Sequence, residues 1–322
     1  VLTHTSPGTP CGTMPWPISA TAVRALQRFN QRWTRRLTIF RRHAGVPLWA
    51  AGVVVDARLR QSHERYLPVG EFCDGLYTVA QYALPHVTWV PGVLCGPRQR
   101  PLRGPRNRRP LSLPDLWAAL PVSFAGRLTF RPDEVVPLLC ALADPPRHGT
   151  RAGRYPVQLA GVREWLGSRR PGPVRALDIG CGVGHGTLEL ANALDAAEAG
   201  MVACVGVTAE PLEVWMATHR RLPHDPARED ELAALPVGKS VLFLAGTGMN
   251  VPCRGGFQLV VCNGLVGGDF LSTAEDFRAL LRELDRLLAE GGLVSLANRF
   301  HEGAQQRVRS FAGAAVQAGW CV

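Results

Sequence analysis

The chain has 322 residues, of which 46% are hydrophobic and 19% charged, and its mean hydropathy is close to zero. These values exclude a disordered or collagen-like chain and are sufficient for two globular domains. The longest apolar run, Val46–Val55, is too short to span a bilayer, and no signal-peptide pattern is found at the start. We therefore expect a cytoplasmic protein without a membrane span.

The positive charge is concentrated in the N-terminal half. Residues 1–150 carry 19 arginines and 8 acidic residues, whereas residues 151–322 carry 17 basic and 18 acidic ones. Arginine outnumbers lysine 35 to 1, which a GC-rich coding bias explains. We therefore rank nucleic acid low among the partners that this basic half predicts.

Two basic segments lie in this half. A helix is predicted from Ser19 to Arg42, because apolar residues recur every three or four positions and form one stripe. Its arginines lie largely off the stripe, which favours a helix packed on its own core over contact with a membrane or nucleic acid. The second segment, Arg98–Arg109, mixes proline, glycine and arginine and predicts a loop that acts as a linker or docks a partner.

The rest of the N-terminal half matches no motif. We predict a strand at Gly52–Leu59 and β-rich structure at Phe72–Val93, since both segments contain many β-branched or aromatic residues. Short helices are predicted near Pro114–Leu120 and Pro132–Leu142. Together these elements predict a mixed α+β domain.

The predicted domain boundary lies at residues 145–150, PPRHGT. The sequence thus predicts an accessory or substrate-recognition domain over residues 1–148 and a second domain over residues 149–322.

The most informative segment is residues 174–190, VRALDIGCGVGHGTLEL. An apolar strand pattern ends near Asp178, glycines follow at alternate positions, and a helical pattern comes next. Glycine lets the backbone turn sharply and approach a ligand, while the first amides of a helix favour anionic or polar groups. The alternating glycines depart from the G-x-G-x-x-G dinucleotide pattern, which weakens an NAD assignment.

Strands and helices alternate through the remainder of the chain. Predicted strands lie at Val202–Val207, Ser240–Ala245, Phe257–Cys262 and Gly292–Ala297, with helices at Thr187–Ala197, Pro211–His219 and Thr273–Ala289. This alternation predicts an α/β fold with a parallel sheet.

An aspartate followed by G-x-G-x-G resembles motif I of the class I S-adenosylmethionine (SAM)-dependent methyltransferases. The segments FQLVVCN and LLRELDRLLAEGGLVSLANRF resemble the fourth-strand and fifth-strand segments of the same family. The resemblance covers about Tyr155–Val322. It implies a Rossmann-like class I methyltransferase sheet that binds SAM.

The resemblance also implies a set of cofactor-binding residues, with two departures from the family pattern. Threonines stand where the family has acidic residues for the ribose and for the adenine amino group. Glu210 is either a substitute ribose ligand or a carboxylate favoured by the first turn of a helix. The implied residues are Asp178, Gly180, Cys181, Gly182, Gly184, Thr208, Glu210, Thr247, Gly248, Met249, Cys262, Asn263 and Arg154.

Arg154 is the least conventional member of this set. It precedes the first strand, where an arginine can pair with the methionine carboxylate of SAM or simply lie on the surface at the entry to a helix. His185, His219 and His301 lie in segments that can face the cleft, but none is assigned a catalytic role. The nine cysteines include no C-x-x-C pair, so no metal site is predicted.

The C-terminal segment predicts a helix at Gln305–Ala318 and the start of a sixth strand at Gly319–Val322. The family's seventh strand has no counterpart. We expect either truncated material or another segment, from this chain or a partner, to cover that sheet edge, because an unpaired edge favours oligomer formation.

The predicted function is SAM-dependent methyl transfer to a small-molecule or protein acceptor. The alternative is a methyltransferase-like binding or scaffold protein with weak or no catalysis, which Thr208 and Thr247 suggest. A nucleic-acid methyltransferase ranks third, on the basic N-terminal half alone.

Overall fold

The contacts within the chain divide it into two units, Val1–Ala143 and Asp144–Val322. The structure, a computed structural model, describes residues 18–49, 54–84, 112–118, 120–143, 151–169, 172–197, 200–236, 240–267, 271–298 and 303–322. The predicted loop Arg98–Arg109, the predicted boundary 145–150 and His301 lie outside these residues.

The described part of the first unit is helical. Its elements are α1 (Ala20–His43), α2 (Ala57–Tyr66), α3 (Val69–Ala83), α4 (Leu113–Ala118), a 3-10 turn (Pro132–Glu134) and α5 (Val135–Ala143).

Helix α1 confirms the amphipathic helix predicted from the sequence. The Ser19 side chain caps its first turn by accepting a hydrogen bond from the Ala22 amide at 3.1 Å. Its apolar stripe is buried, and the rings of Phe29 and Trp33 lie 5.4 and 5.1 Å from the ring of Phe72 on α3. Aromatic packing between α1 and α3 thus forms the centre of this core.

The predicted β structure in the first unit is wrong for the described residues. Residues 57–59 begin α2, whose first turn is capped by the Asp56 carboxylate on the Leu59 amide at 2.7 Å. Residues 72–83 lie in α3, which buries Phe72, Leu76 and Val79 on one face. Burial of one helical face outweighs the strand propensity of these residue types, so the described part of this unit is helical rather than mixed α+β.

The second unit is built on a parallel sheet of five strands. The spatial order is β3-β2-β1-β4-β5, and every neighbouring pair is parallel. The strands are β1 (Val174–Ile179), β2 (Met201–Thr208), β3 (Val241–Ala245), β4 (Phe257–Asn263) and β5 (Leu288–Ala297).

Among the described residues, six helices accompany these strands: one precedes β1, one follows β5 and the others lie between strands. They are α6 (Pro156–Ser168), α7 (His185–Ala196), α8 (Pro211–His219), α9 (Pro226–Ala234), α10 (Ala274–Leu287) and α11 (Ala304–Gln317). None of the helices that the structure describes, in either unit, is long and apolar enough to cross a membrane.

The observed strand order 3-2-1-4-5 is that of a Rossmann-like sheet. It confirms the predicted fold class. All five strands point the same way, so the loops that follow β1 to β4 meet at one edge of the sheet. That edge carries most of the predicted site residues.

No strand is assigned at Gly319–Val322, where the sequence predicted the start of a sixth strand; helix α11 ends just before them. Gly319 adopts a left-handed φ of 89°, and the amides of Gly319 and Trp320 donate to the carbonyls of Val316 and Ala315, both at 3.0 Å. A glycine cap of this kind satisfies the last helical carbonyls and ends the helix.

Candidate functional site

Asp178 lies buried at the end of β1. Only 3% of it is exposed, and one carboxylate oxygen accepts a hydrogen bond from the Thr187 hydroxyl at 2.7 Å. Burial raises the pKa of Asp178 to about 6, against the lowering effect of the Thr187 bond. The carboxylate therefore ties the strand to the first turn of α7, behind the glycine loop.

The glycine loop, residues 180–184, turns through three left-handed residues. Gly180, Gly182 and Gly184 have φ values of 81°, 55° and 91°, which other residues rarely adopt. The amides of Gly180 and Cys181 both donate to the carbonyl of Val207 on β2, at 2.8 and 3.1 Å. These two amides thus hold the loop against β2.

Gly184 is required by packing as well as by its backbone angle. A Cβ atom there would lie 2.8 Å from the ring of Phe243 on β3 and 3.1 Å from the Ala217 side chain. A Cβ atom on Gly206, inside β2, would lie 2.7 Å from the same ring. The sequence gives no sign of this contact, and a direct cofactor contact of Gly184 stays a prediction.

Cys181 and Cys262 are buried thiols. Burial raises the pKa of Cys181 well above its usual value, and the nearby charges of Asp178 and Glu213 raise it further. Burial likewise raises the pKa of Cys262, at the end of β4, to about 12. A protonated, buried thiol is a poor nucleophile, so both cysteines act as small apolar residues at the site.

The end of β2 holds a buried carboxylate that sequence reasoning missed. The Thr208 hydroxyl donates to the Glu213 carboxylate, and the Thr208 oxygen accepts a bond from the Glu210 amide at 3.4 Å. Thr208 is 4% exposed and Glu213 is 8% exposed. The first turn of α8 folds back over the strand end, so Glu213 rather than Glu210 places its carboxylate against Thr208.

A tight turn follows β3. The Asn250 amide donates to the carbonyl of Thr247 at 3.1 Å, and the Thr247 side chain is exposed. A Cβ atom on Gly248 would lie 2.9 Å from Leu265 and 3.2 Å from Ile179. Gly248 therefore brings the turn close to the end of β1, while the neighbouring Met249 is exposed.

A pair of amide side chains closes the end of β4. Asn263 and Gln158 exchange two hydrogen bonds of 2.9 Å, and Gln158 also donates to the Ser295 hydroxyl at 3.1 Å. Gln158 lies on α6, so the helix that precedes β1 is joined to the ends of β4 and β5. The sequence gives no sign of the Gln158–Asn263 pairing.

Arg154 is half-buried just before α6. Its guanidinium lies 5.6 Å from the centre of the Tyr155 ring. Burial lowers the pKa of Arg154, and the nearby charge of Arg228 lowers it further, although Tyr155 acts in the opposite direction. Arg154 is therefore a partly desolvated cation, which suits an anionic partner.

The two described histidines of the predicted cleft differ in burial. His185 is fully buried; its Nε2 atom lies 3.3 Å from the carbonyl of Arg228, and burial lowers its pKa. His219 is exposed, and its Nδ1 atom lies 2.8 Å from the Trp215 carbonyl. His185 therefore serves packing between α7 and the chain around Arg228 rather than proton transfer to a ligand.

The fold brings the ends of β1 to β4 together at one edge. The Gly246 amide donates to the Thr208 carbonyl at 2.9 Å, which joins the ends of β3 and β2. On the other side, a Cβ atom on Gly180 would lie 3.1 Å from Leu265 and 3.7 Å from the Asn263 carbonyl. The glycine loop thus lies between Thr208 and Glu213 on one side and Asn263 on the other.

Comparisons with known proteins give structural matches only. No protein-family model matches the chain, and no curated sequence does. An amino pentose methyltransferase from Micromonospora echinaspora, involved in calicheamicin biosynthesis and solved with SAM bound, is 23% identical with a TM-score of 0.32. That match covers 46% of this chain and 52% of the other.

Two further matches have similar extent. A sugar N-methyltransferase from a Streptoalloteichus species is 18% identical with a TM-score of 0.34, over 47% of this chain and 51% of the other. A SAM-dependent methyltransferase from Geobacter sulfurreducens, in complex with S-adenosylhomocysteine, is 22% identical with a TM-score of 0.30. That match covers 46% of this chain and 50% of the other. All three are methyltransferases, and the chain spans about half the length of each.

Proposed function

We propose that the second unit binds SAM at the carboxyl edge of its sheet and transfers the methyl group to a small-molecule or protein acceptor. One observation carries the proposal: the glycine loop follows β1, the strand between β2 and β4, where the strand order reverses. Open α/β sheets bind ligands in the crevice at this switch point. The alternating glycines after Asp178 favour SAM over a dinucleotide.

The side chains at this edge fit such a cofactor. SAM has ribose hydroxyls that need hydrogen-bond acceptors, and Glu213 with Thr208 supplies a carboxylate and a hydroxyl oxygen at the end of β2. Arg154 would hold the carboxylate of the methionine part. Asp178 contributes a second acidic group behind the loop, which favours a cationic ligand.

SAM, when bound, supplies a methyl group that is already activated on a sulfonium. The work left to the chain is to orient the acceptor and exclude water. Asn263, held by Gln158, provides a fixed amide on the opposite side of the loop from Glu213. We assign no side chain the role of proton acceptor.

A cytoplasmic location is part of this proposal. Six cysteines among the described residues are free thiols, as expected for a protein of a reducing compartment: Cys73, Cys181, Cys204, Cys253, Cys262 and Cys321.

Titration calorimetry of the full chain with SAM, S-adenosylhomocysteine and NAD tests the cofactor. We expect micromolar dissociation constants for the first two ligands and no heat with NAD. Binding of NAD in place of SAM would overturn the assignment, provided that circular dichroism shows a folded protein.

A second candidate is a methyltransferase-like binding or scaffold protein. It is favoured by Thr208 and Thr247, which stand in place of acidic residues. It is also favoured by the loop amides of Gly180 and Cys181, because both already donate to the Val207 carbonyl rather than facing a cofactor. A folded protein that gives no heat with SAM at millimolar concentration would support this candidate over the enzyme.

A further inference from the structure

A basic groove lies on the first unit, between α1, the end of α2 and the start of α3. Its volume is about 700 Å³, and five arginines and one glutamate contribute its charge. They are Arg28, Arg32, Arg35, Arg36, Arg65 and Glu71. Because arginine is abundant throughout this chain, what carries weight here is their convergence on one concave surface.

Most of this charge is not neutralised by the protein. Arg36 pairs with Glu71 at 2.5 Å and donates to the Tyr66 carbonyl at 3.2 Å. Arg28, Arg32 and Arg35 are exposed, and none of them has a hydrogen bond or an ion pair with any residue that the structure describes. The groove therefore carries three guanidinium groups that are available to an anion.

These three arginines form a row. They stand at positions i, i+4 and i+7 of α1, so they share one face of the helix. The rise of an α-helix separates their positions by about 6 and about 4.5 Å along the axis. A row of guanidinium groups at this spacing suits an anion whose charges repeat along a chain.

We propose that this groove binds a single strand of nucleic acid through its phosphates. Basic grooves that follow a phosphate backbone beside an aromatic ring are typical of single-strand binding, and Tyr66 supplies a partly exposed ring in this groove. A membrane surface fits less well, since α1 buries Leu26, Phe29 and Trp33 in its own core, and Ile39 is its only large apolar residue that is exposed. The proposal is independent of SAM binding.

The test is fluorescence anisotropy of the full chain with a labelled oligouridine of about twelve nucleotides, over a range of salt concentrations. Each phosphate contact with a single strand contributes about −0.7 to the slope of log K against log salt. We expect the triple variant Arg28→Gln, Arg32→Gln, Arg35→Gln to reduce the slope by about two and to weaken binding at least about tenfold at low salt.

The matched control removes three charges from the same helix outside the groove: Arg24→Gln, Arg41→Gln and Arg42→Gln. We expect it to bind within about twofold of the parent chain. Equal losses in both triple variants would overturn the proposal, because they would show a general charge effect. It would also be overturned if phosphatidylserine vesicles or polyglutamate bound through the same three arginines and oligouridine did not.

Discussion

The hydroxyl of Thr208 donates a hydrogen bond to the carboxylate of Glu213, five residues further along the chain. The pair is buried at the end of β2, where the class I methyltransferase pattern has an acidic ribose ligand and this sequence has a threonine. The charge of Glu213 also reaches Cys181 in the glycine loop, where it raises the pKa of the thiol. An acidic group therefore lies at the expected place but comes from the following helix.

We expect Glu213→Gln to weaken SAM binding about tenfold or more, because hydrogen bonds to a charged group contribute about 1.5 to 3 kcal/mol. The amide oxygen still accepts the Thr208 bond, so thermal stability should change little. Glu210→Gln is the matched control, with the same chemistry at the cap of the same helix. Calorimetry in which only the Glu210 variant loses affinity would place the ribose contact there instead.

Thr208→Asp should destabilise the protein rather than restore the family's ribose ligand. The new carboxyl would lie beside Glu213, and two carboxylates that share a buried site repel one another by about 1 to 3 kcal/mol. The loss of stability should be larger at pH 8 than at pH 5, where one of the groups can hold a proton. Thr208→Ser is the control. Equal stability of the two variants in urea denaturation would contradict the expected repulsion between the carboxylates.

Gly184→Ala should destabilise the fold by at least about 2 kcal/mol, through the left-handed backbone and the overpacking against Phe243. Gly161→Ala, in α6 with open space around it, should instead be neutral or stabilising. Adding Phe243→Leu to Gly184→Ala should restore part of the loss, as measured by urea midpoints. A Gly184 variant that is fully stable yet fails to bind SAM would show that the glycine serves the cofactor alone.

Asp178 predicts a specific pH dependence of stability. Its pKa is raised from 3.8 to about 6 in the folded protein, so the folded state binds the proton more tightly than the unfolded state does. Proton binding by Asp178 therefore adds about 3 kcal/mol to the free energy of unfolding below pH 4. This stabilisation is lost as the pH rises to about 6. Asp178→Asn keeps the Thr187 bond and should remove this slope.

The measurement for Asp178 is the difference in unfolding free energy between parent and variant at pH 4, 5, 6 and 7. The Asp178→Asn variant should gain relative stability between pH 4 and 6 and then level off. A difference that is flat with pH would show that the carboxyl does not titrate in this window.

Gln158 and Asn263 should be energetically coupled through their two hydrogen bonds. A double-mutant cycle with Gln158→Ala and Asn263→Ala should give a coupling free energy of about 1 kcal/mol. Each single variant leaves a partly buried amide without its partner, so the second substitution should cost less than the first. Additive effects within about 0.3 kcal/mol would exclude the coupling.

The sequence by itself determined the order of the strands and helices in the second unit and the position of its glycine loop. Apolar periodicity and glycine spacing are local signals, and they place Asp178 at the end of a strand and α7 directly after the loop. In the first unit the same periodicity predicted α1, but residue type misled at α3, where Phe72 and its neighbours pack as one face of a helix although their residue types favour a strand.

Only the tertiary structure decided which side chains meet at the edge of the sheet. Phe243 packs on Gly184, Gln158 pairs with Asn263, and Glu213 reaches Thr208. The first two contacts join residues far apart in sequence, and the third depends on how α8 turns back over β2. Such partners depend on strand order and helix packing, which local sequence patterns do not encode.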